Sequence, residues 1–81
     1  ITVMSHIRLL RYIPIKEVFM KELDVVRLVQ EFQGFPVGTE GTIVHKYDDS
    51  MYEVEFFSKD GDTLDVVTTP KSAIELIKSY K

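Results

Sequence analysis

An alternation of large apolar and acidic side chains runs through residues 51–57, which read MYEVEFF. The apolar positions are Tyr52, Val54 and Phe56, and the acidic positions between them are Glu53 and Glu55. Successive side chains of a β-strand point to opposite faces, whereas a helix would scatter these residues around its axis. The segment therefore predicts a strand with one face in a core and an acidic face turned outward.

The rest of the chain from residue 20 onward is built from similar short β-rich runs separated by turn residues. Asp60-Gly61 is typical of a tight hairpin turn, because both residue types tolerate a positive φ. Pro70 interrupts the ladder and favours a 3₁₀ turn over residues 70–73. The predicted strands are residues 22–30, 42–47, 51–57, 63–69 and 74–77. Five short strands, a long first loop and a late 3₁₀ turn indicate an all-β, five-stranded SH3-like barrel.

Three of the four glycines fall within residues 34–44, which read GFPVGTEGTIV. A phosphate-binding P-loop has two glycines five residues apart, followed by Lys and then by a helix. Here Gly38 and Gly41 are three apart and lead into the β-branched run Thr-Ile-Val. We therefore expect these glycines to provide a positive φ and a close backbone approach at the start of the second strand.

Residues 1–19 differ from the remainder and are expected to form an extension to a barrel over residues 20–81. Ser5 and Pro14 would bound a short helix over residues 6–13, although a strand is the alternative. Two interpretations of the extension stay open, a leader segment or an apolar arm that docks on a neighbouring chain.

The charge distribution narrows the classes of partner. The 81-residue chain has a formal net charge of −3, with +2 over residues 1–19 (3 − 1) and −5 over residues 20–81 (7 − 12). An acidic body repels phosphate backbones, so this charge distribution disfavours nucleic-acid binding. No apolar run is long enough to span a membrane, and no cysteine is present, which fits a cytoplasmic setting.

Residue patterns for catalysis or for binding a cofactor or a metal are not found in the sequence. The only histidines are His6 and His45, and no cysteine accompanies them. Simple alternation places His45 on one strand face with Ile43 and Tyr47, which predicts a partly buried histidine. No serine stands in a nucleophile-elbow context. We therefore expect a protein that is not an enzyme and has no cofactor.

Several motifs of the chain occur in an order that resembles one family of small bacterial proteins. The motifs are Glu22-Leu-Asp-Val-Val26, Val37-Gly-Thr-Glu-Gly-Thr-Ile-Val44, Tyr52-Glu-Val-Glu-Phe56, the Lys-Asp-Gly turn and the Val-Thr-Thr-Pro step. Over residues 20–77 the chain resembles the family called domain of unknown function 4926. The resemblance implies a barrel fold without known catalysis. Genes of such proteins often lie beside small toxin-like genes, which implies an antitoxin-like or immunity-like role.

A candidate partner-binding surface follows from the third strand. Glu53 and Glu55 would offer a negative strip to a basic chain, with Met51 and Phe57 as apolar anchors on the same face. Phe35 and Glu40, near the tip and the end of the first loop, are added as candidate contacts. The alternative interpretation is that the acids only form a solvated sheet face.

The expected function is a protein-interaction module that binds a basic or toxin-like chain or a second copy of itself. A small barrel without disulfides has little stability to spare, so association is a reasonable expectation. Two alternatives stay open. One is a KOW-like RNA or ribosome accessory domain, because the Gly-x-x-Gly turn also occurs there, and its positive patch would comprise Arg8, Arg11, Lys46 and Lys59. The other is an accessory barrel of an enzyme subunit.

Overall fold

A computed structural model of the protein describes residues 19–79. Within them, five antiparallel strands form one sheet in the order β4-β3-β2-β1-β5. The strands are β1 Val25–Leu28, β2 Glu40–Lys46, β3 Met51–Phe57, β4 Thr63–Pro70 and β5 Ile74–Lys78, with a 3₁₀ turn at Lys71–Ala73. Apart from that turn, residues 19–79 contain no helix. The predicted all-β, five-stranded SH3-like architecture with a 3₁₀ turn before the last strand is confirmed.

The alternation in β3 produces the two-sided strand that the sequence predicts. Tyr52, Val54 and Phe56 are fully buried, whereas the residues between them are only half-buried. β1 adds two residues to the core, β2, β5 and the 3₁₀ turn add one each, and Met20 joins them from the segment before β1. The core consists of Met20, Val26, Leu28, Ile43, Tyr52, Val54, Phe56, Ala73 and Ile74. Because β3 buries one face in this core, only the side chains of its other face remain accessible to a partner.

Two glycines at the entry to β2 have the two roles expected of them. Gly38 has a φ of +93°, a conformation that side-chain-bearing residues rarely adopt. Gly41 lies inside β2, where an added Cβ would come within 2.6 Å of Val54 Cγ1 and 2.9 Å of the Glu55 carbonyl oxygen. The glycines therefore let the first loop turn back and let β2 pack closely on β3.

The first strand is shorter than residues 22–30. Leu23 has a φ of +77°, which cannot belong to a strand. Two backbone hydrogen bonds hold this turn, from Leu23 N to the Ile43 carbonyl (2.8 Å) and from Asp24 N to the Lys21 carbonyl (3.1 Å). β1 therefore begins only at Val25, after a tight turn. The β-rich composition of residues 22–30 gives no sign of this turn.

A bulge in β2 makes the prediction for His45 wrong. The register with β3 shifts between Ile43 and His45, so that Ile43 stays buried while the His45 side chain is 55% exposed. A bulge adds one residue to a strand and reverses the facing of everything after it. The expected helix over residues 6–13, and the extension to which it belongs as far as residue 18, lie outside the described residues.

Candidate functional site

Four of the six predicted contact residues lie in a row on the outer face of β3. Met51, Glu53, Glu55 and Phe57 occupy alternate positions and are all half-buried. We call these four residues the β3 outer face. A rise of about 3.3 Å per residue separates neighbours in this row by roughly 6.6 Å. The face therefore has an apolar residue at each end and two carboxylates between them.

The carboxylate of Glu53 is held by two hydroxyl groups from neighbouring strands and loops. Tyr47 donates to Glu53 Oε1 at 3.1 Å, and Thr68 of β4 donates to the same oxygen at 2.8 Å. Thr68 lies directly opposite Glu53 in the β3–β4 register, which explains why the pair meets. The orientation of Glu53 is therefore set by neutral donors on both sides.

Glu55 is held in the same manner at its own position. The hydroxyl of Thr63, at the start of β4, donates to Glu55 Oε2 at 2.5 Å. Within residues 19–79, neither Glu53 nor Glu55 forms an ion pair with a lysine, arginine or histidine. Hydroxyl donors orient a carboxylate without cancelling its charge, so the β3 outer face presents two positioned negative charges.

The other two predicted residues meet Phe57 at one end of this face. Phe35, Glu40 and Phe57 line one groove, together with the first loop and the β3–β4 hairpin. Glu40 lies opposite Phe57 in the β2–β3 register, and the ring of Phe35 stacks at 5.4 Å on the buried ring of Phe56. The structure thus joins Phe35 and Glu40 to the Phe57 end of the β3 outer face.

Met51 marks the opposite end, beside the 3₁₀ turn. It lies opposite Pro70 and lines a second, shallower groove with Lys71 and Ile74. The preceding turn is tied down by Asp48, whose Oδ1 accepts from Ser50 N (2.7 Å), Ser50 Oγ (2.8 Å) and Met51 N (3.0 Å). Met51 is therefore well positioned but separated from Phe57 by the full length of β3.

Two titrating groups around the face respond to these hydrogen bonds. The bond from its hydroxyl to Glu53 is the main cause that raises the pKa of Tyr47, followed by desolvation and the Glu53 charge. Hydrogen bonds from the backbone and then the side chain of Ser50 lower the pKa of Asp48. Both shifts have the same main cause, a hydrogen bond to a carboxylate: Glu53 accepts from Tyr47, and Asp48 accepts from Ser50.

Sequence reasoning missed one buried carboxylate, which directly precedes β1. Asp24 is fully buried and accepts from Lys21 N at 3.0 Å, from Lys21 Nζ at 3.0 Å and from Ser79 Oγ at 3.4 Å. Lys21 Nζ also donates to Ser79 Oγ at 2.8 Å. The available signal was an aspartate interrupting a β-rich run just after a lysine, which is weak because turns and strand ends often contain both.

The two described members of the predicted positive patch lie at opposite ends of β3. Lys46 lies opposite Tyr52 near the start of β3 and pairs with Asp49 at 3.1 Å, whereas Lys59 follows the end of β3. Arg8 and Arg11 lie outside the described residues. Among residues 19–79, no three His, Asp or Glu side chains are grouped as metal ligands, and no helix has the length and apolarity needed to cross a membrane.

The fold and the charged face define a small SH3-like barrel with a candidate protein-binding surface. The chain belongs to the family described as domain of unknown function (DUF4926), whose model matches residues 22–76. This match covers β1 to β4 and the first three residues of β5, and it includes all six candidate residues. No curated protein and no solved structure matched the chain.

Proposed function

We propose that this protein is a non-catalytic interaction module that binds a basic, toxin-like protein in the cytoplasm, in the manner of an antitoxin or immunity protein. The β3 outer face is the proposed contact surface. The observation that carries the proposal is the pair Glu53 and Glu55, which neutral hydroxyls orient and which no described cation neutralises.

Electrostatics favours a basic partner at this position. Glu53 and Glu55 stand on positions roughly 6.6 Å apart along the strand, and two like charges at that spacing repel each other by about 0.6 kcal/mol in bulk water and by more where water is partly excluded. A lysine or arginine placed between them removes this repulsion and gains attraction from both groups. Complementary charge also speeds encounter and excludes acidic competitors.

The apolar ends of the face supply the contact area that charges alone do not. Met51 and Phe57 are half-buried and flank the two carboxylates. Aromatic residues and methionine are enriched in protein interfaces, where they pack inside a polar rim. The presence of Met51 and Phe57 beside the two carboxylates therefore supports a protein ligand.

The test compares two variants with the same change in net charge. Glu53→Lys/Glu55→Lys reverses the proposed contact, and Glu31→Lys/Asp60→Lys reverses two exposed acids that lie elsewhere. Wild type and both variants are immobilised and exposed to an extract of the source organism. A retained protein is then produced separately, and its Kd is measured by calorimetry.

We expect a basic protein to bind wild type and the control variant, with a Kd at least about tenfold weaker for the contact variant. This difference should shrink between about 50 and about 500 mM salt. The retained protein should inhibit growth when expressed alone, and co-expression with wild type should restore growth. Equal binding by the contact variant, or no retained protein, contradicts the proposed surface. A retained protein that leaves growth unaffected contradicts the antitoxin-like role.

A further inference from the structure

A groove of about 740 Å³ continues the β3 outer face beyond Phe57. One wall is the first loop and the start of β2, residues 35–40. The other wall is formed by Ser58 and Lys59 of the hairpin and by Leu64 of β4. This volume lies within the range of roughly 300–1,000 Å³ that is common for ligand sites.

Both walls of the groove are fixed by backbone hydrogen bonds. In the first loop, Phe32 and Phe35 exchange two N–H to carbonyl bonds of 3.0 and 2.9 Å, and Gly38 N donates to the Leu28 carbonyl at 2.9 Å. In the hairpin, Ser58 N donates to the Asp62 carbonyl at 2.8 Å, and Gly61 N donates to the Ser58 carbonyl at 2.9 Å. A ligand would therefore meet a site that needs little ordering on binding.

The lining of the groove is mainly apolar and open to solvent. Val37 is 64% exposed and Leu64 is 47% exposed, although both are large apolar residues. Pro36, Phe35 and Phe57 complete the apolar lining. Covering these side chains with a partner favours binding by roughly 25 cal/mol for each Å² of apolar surface removed from water.

The charges next to the groove decide which kind of apolar ligand fits. Glu40 lines the groove opposite Phe57, and Glu55 is the next residue on the β3 outer face. Lys59 is the single cation of the lining, and within residues 19–79 it pairs with neither carboxylate. The lining therefore has one acid and one cation, and Glu55 adds a second acid where the groove meets the β3 outer face.

We infer that this groove receives an apolar side chain of the basic partner, from an extended segment whose following alternate residues are basic. The inference rests on the proposed function and specifies its ligand. Phe57, Glu55 and Glu53 lie at steps of roughly 6.6 Å, which is the spacing of alternate residues in an extended chain. An apolar residue in the groove thus places the next two alternate residues over the two carboxylates.

The test uses a defined peptide, acetyl-Phe-Ser-Lys-Ser-Lys-amide, titrated into ¹⁵N-labelled protein and followed by amide NMR shifts. Acetyl-Ser-Ser-Lys-Ser-Lys-amide lacks the apolar anchor, and acetyl-Phe-Ser-Glu-Ser-Glu-amide reverses the charge. We expect the first peptide to shift the amides of Val37, Gly38 and Leu64 and to bind at least about fivefold more tightly than either control. Equal binding of the anchorless peptide, or the lack of groove shifts at millimolar peptide, overturns the inference.

Two pairs of variants separate this inference from the proposed function. Val37→Ser/Leu64→Ser removes exposed apolar groups from the groove, and Val29→Ser/Ile77→Ser removes two that are each 43% exposed outside it. With the whole partner protein, the groove pair should weaken binding equally at low and high salt, whereas Glu53→Lys/Glu55→Lys should act mainly at low salt.

Each result with these variants has a definite meaning. Weakening by the groove pair and not by the control pair supports the inference. Weakening by charge reversal alone overturns the groove and leaves the proposed function standing. Unchanged binding in both the groove and charge-reversal variants overturns both, and amide spectra confirm that every variant is folded.

Discussion

Two groups of carboxylates in this barrel are both held by hydrogen bonds, but their donors differ. Asp24, whose side chain is 1% exposed, accepts from the backbone and the ammonium group of Lys21. Glu53 and Glu55 are half-buried and accept from the neutral hydroxyls of Tyr47, Thr63 and Thr68. The charge of Asp24 is compensated by Lys21 within the fold. The charges on the β3 outer face are oriented by neutral groups, and no cation within residues 19–79 pairs with them.

This difference separates a structural carboxylate from a candidate binding carboxylate. A buried charge must be paired and hydrogen-bonded, because desolvation otherwise exceeds what the fold can offset. A half-buried carboxylate can remain charged with water on one side and needs donors only to fix its direction. The hydrogen bonds of Asp24 therefore stabilise the turn before β1. The hydrogen bonds of Glu53 and Glu55 leave two charged groups accessible to another molecule.

The largest expected effect is on stability and comes from Asp24→Ala. The substitution leaves Lys21 N without its side-chain acceptor and opens the turn that contains the positive φ of Leu23. We expect the free energy of unfolding in urea to fall by about 3 kcal/mol. Glu53→Ala is the control, and similar losses for the two variants would contradict the distinction drawn between them.

A much smaller stability change is expected when both outer charges are removed. Glu53→Gln/Glu55→Gln keeps oxygen acceptors for the three hydroxyls and abolishes the mutual repulsion. The free energy of unfolding should stay within about 0.5 kcal/mol of wild type, because exposed substitutions of this kind seldom do more. A loss above about 2 kcal/mol would show that these carboxylates serve the fold rather than a partner.

The contrast also explains which parts of the molecule could be predicted from sequence. The bounds of β3, residues 51–57, follow from strict alternation, and the hairpin follows from Asp60-Gly61; the structure confirms both. Both signals are local, since a period of two and a positive φ depend only on neighbouring residues. The same local reasoning placed Glu53 and Glu55 together on the outward face.

The features that sequence reasoning missed depend on contacts between distant segments. The bulge after Ile43 is a property of the pairing between β2 and β3, and the hydrogen bond that Asp24 accepts from Ser79 joins residues 55 positions apart in the sequence. The groove between residues 35–40 and Leu64 likewise appears only when the first loop meets the hairpin. No periodicity within one segment contains this information.

The finest test of the outer face is the titration of Tyr47. Its pKa is raised above the usual value of about 10, chiefly by the hydrogen bond that it donates to Glu53. This bond stabilises the protonated hydroxyl, so its contribution is complete below the pKa of an unfolded tyrosine. The contribution is lost as the pH rises through the higher pKa of the folded protein.

Glu53→Gln should therefore lower the pKa of Tyr47 toward its usual value, because both the carboxylate acceptor and its charge are removed. Tyr52 is an internal control, since burial is the main cause that raises its pKa and Glu53 is not among the causes. NMR of ¹³Cζ-labelled tyrosine follows both groups, with Tyr47→Phe assigning the resonance. If Tyr47 and Tyr52 shift equally in Glu53→Gln, or if neither shifts, then Glu53 is not the oriented, charged group on which the proposed surface depends.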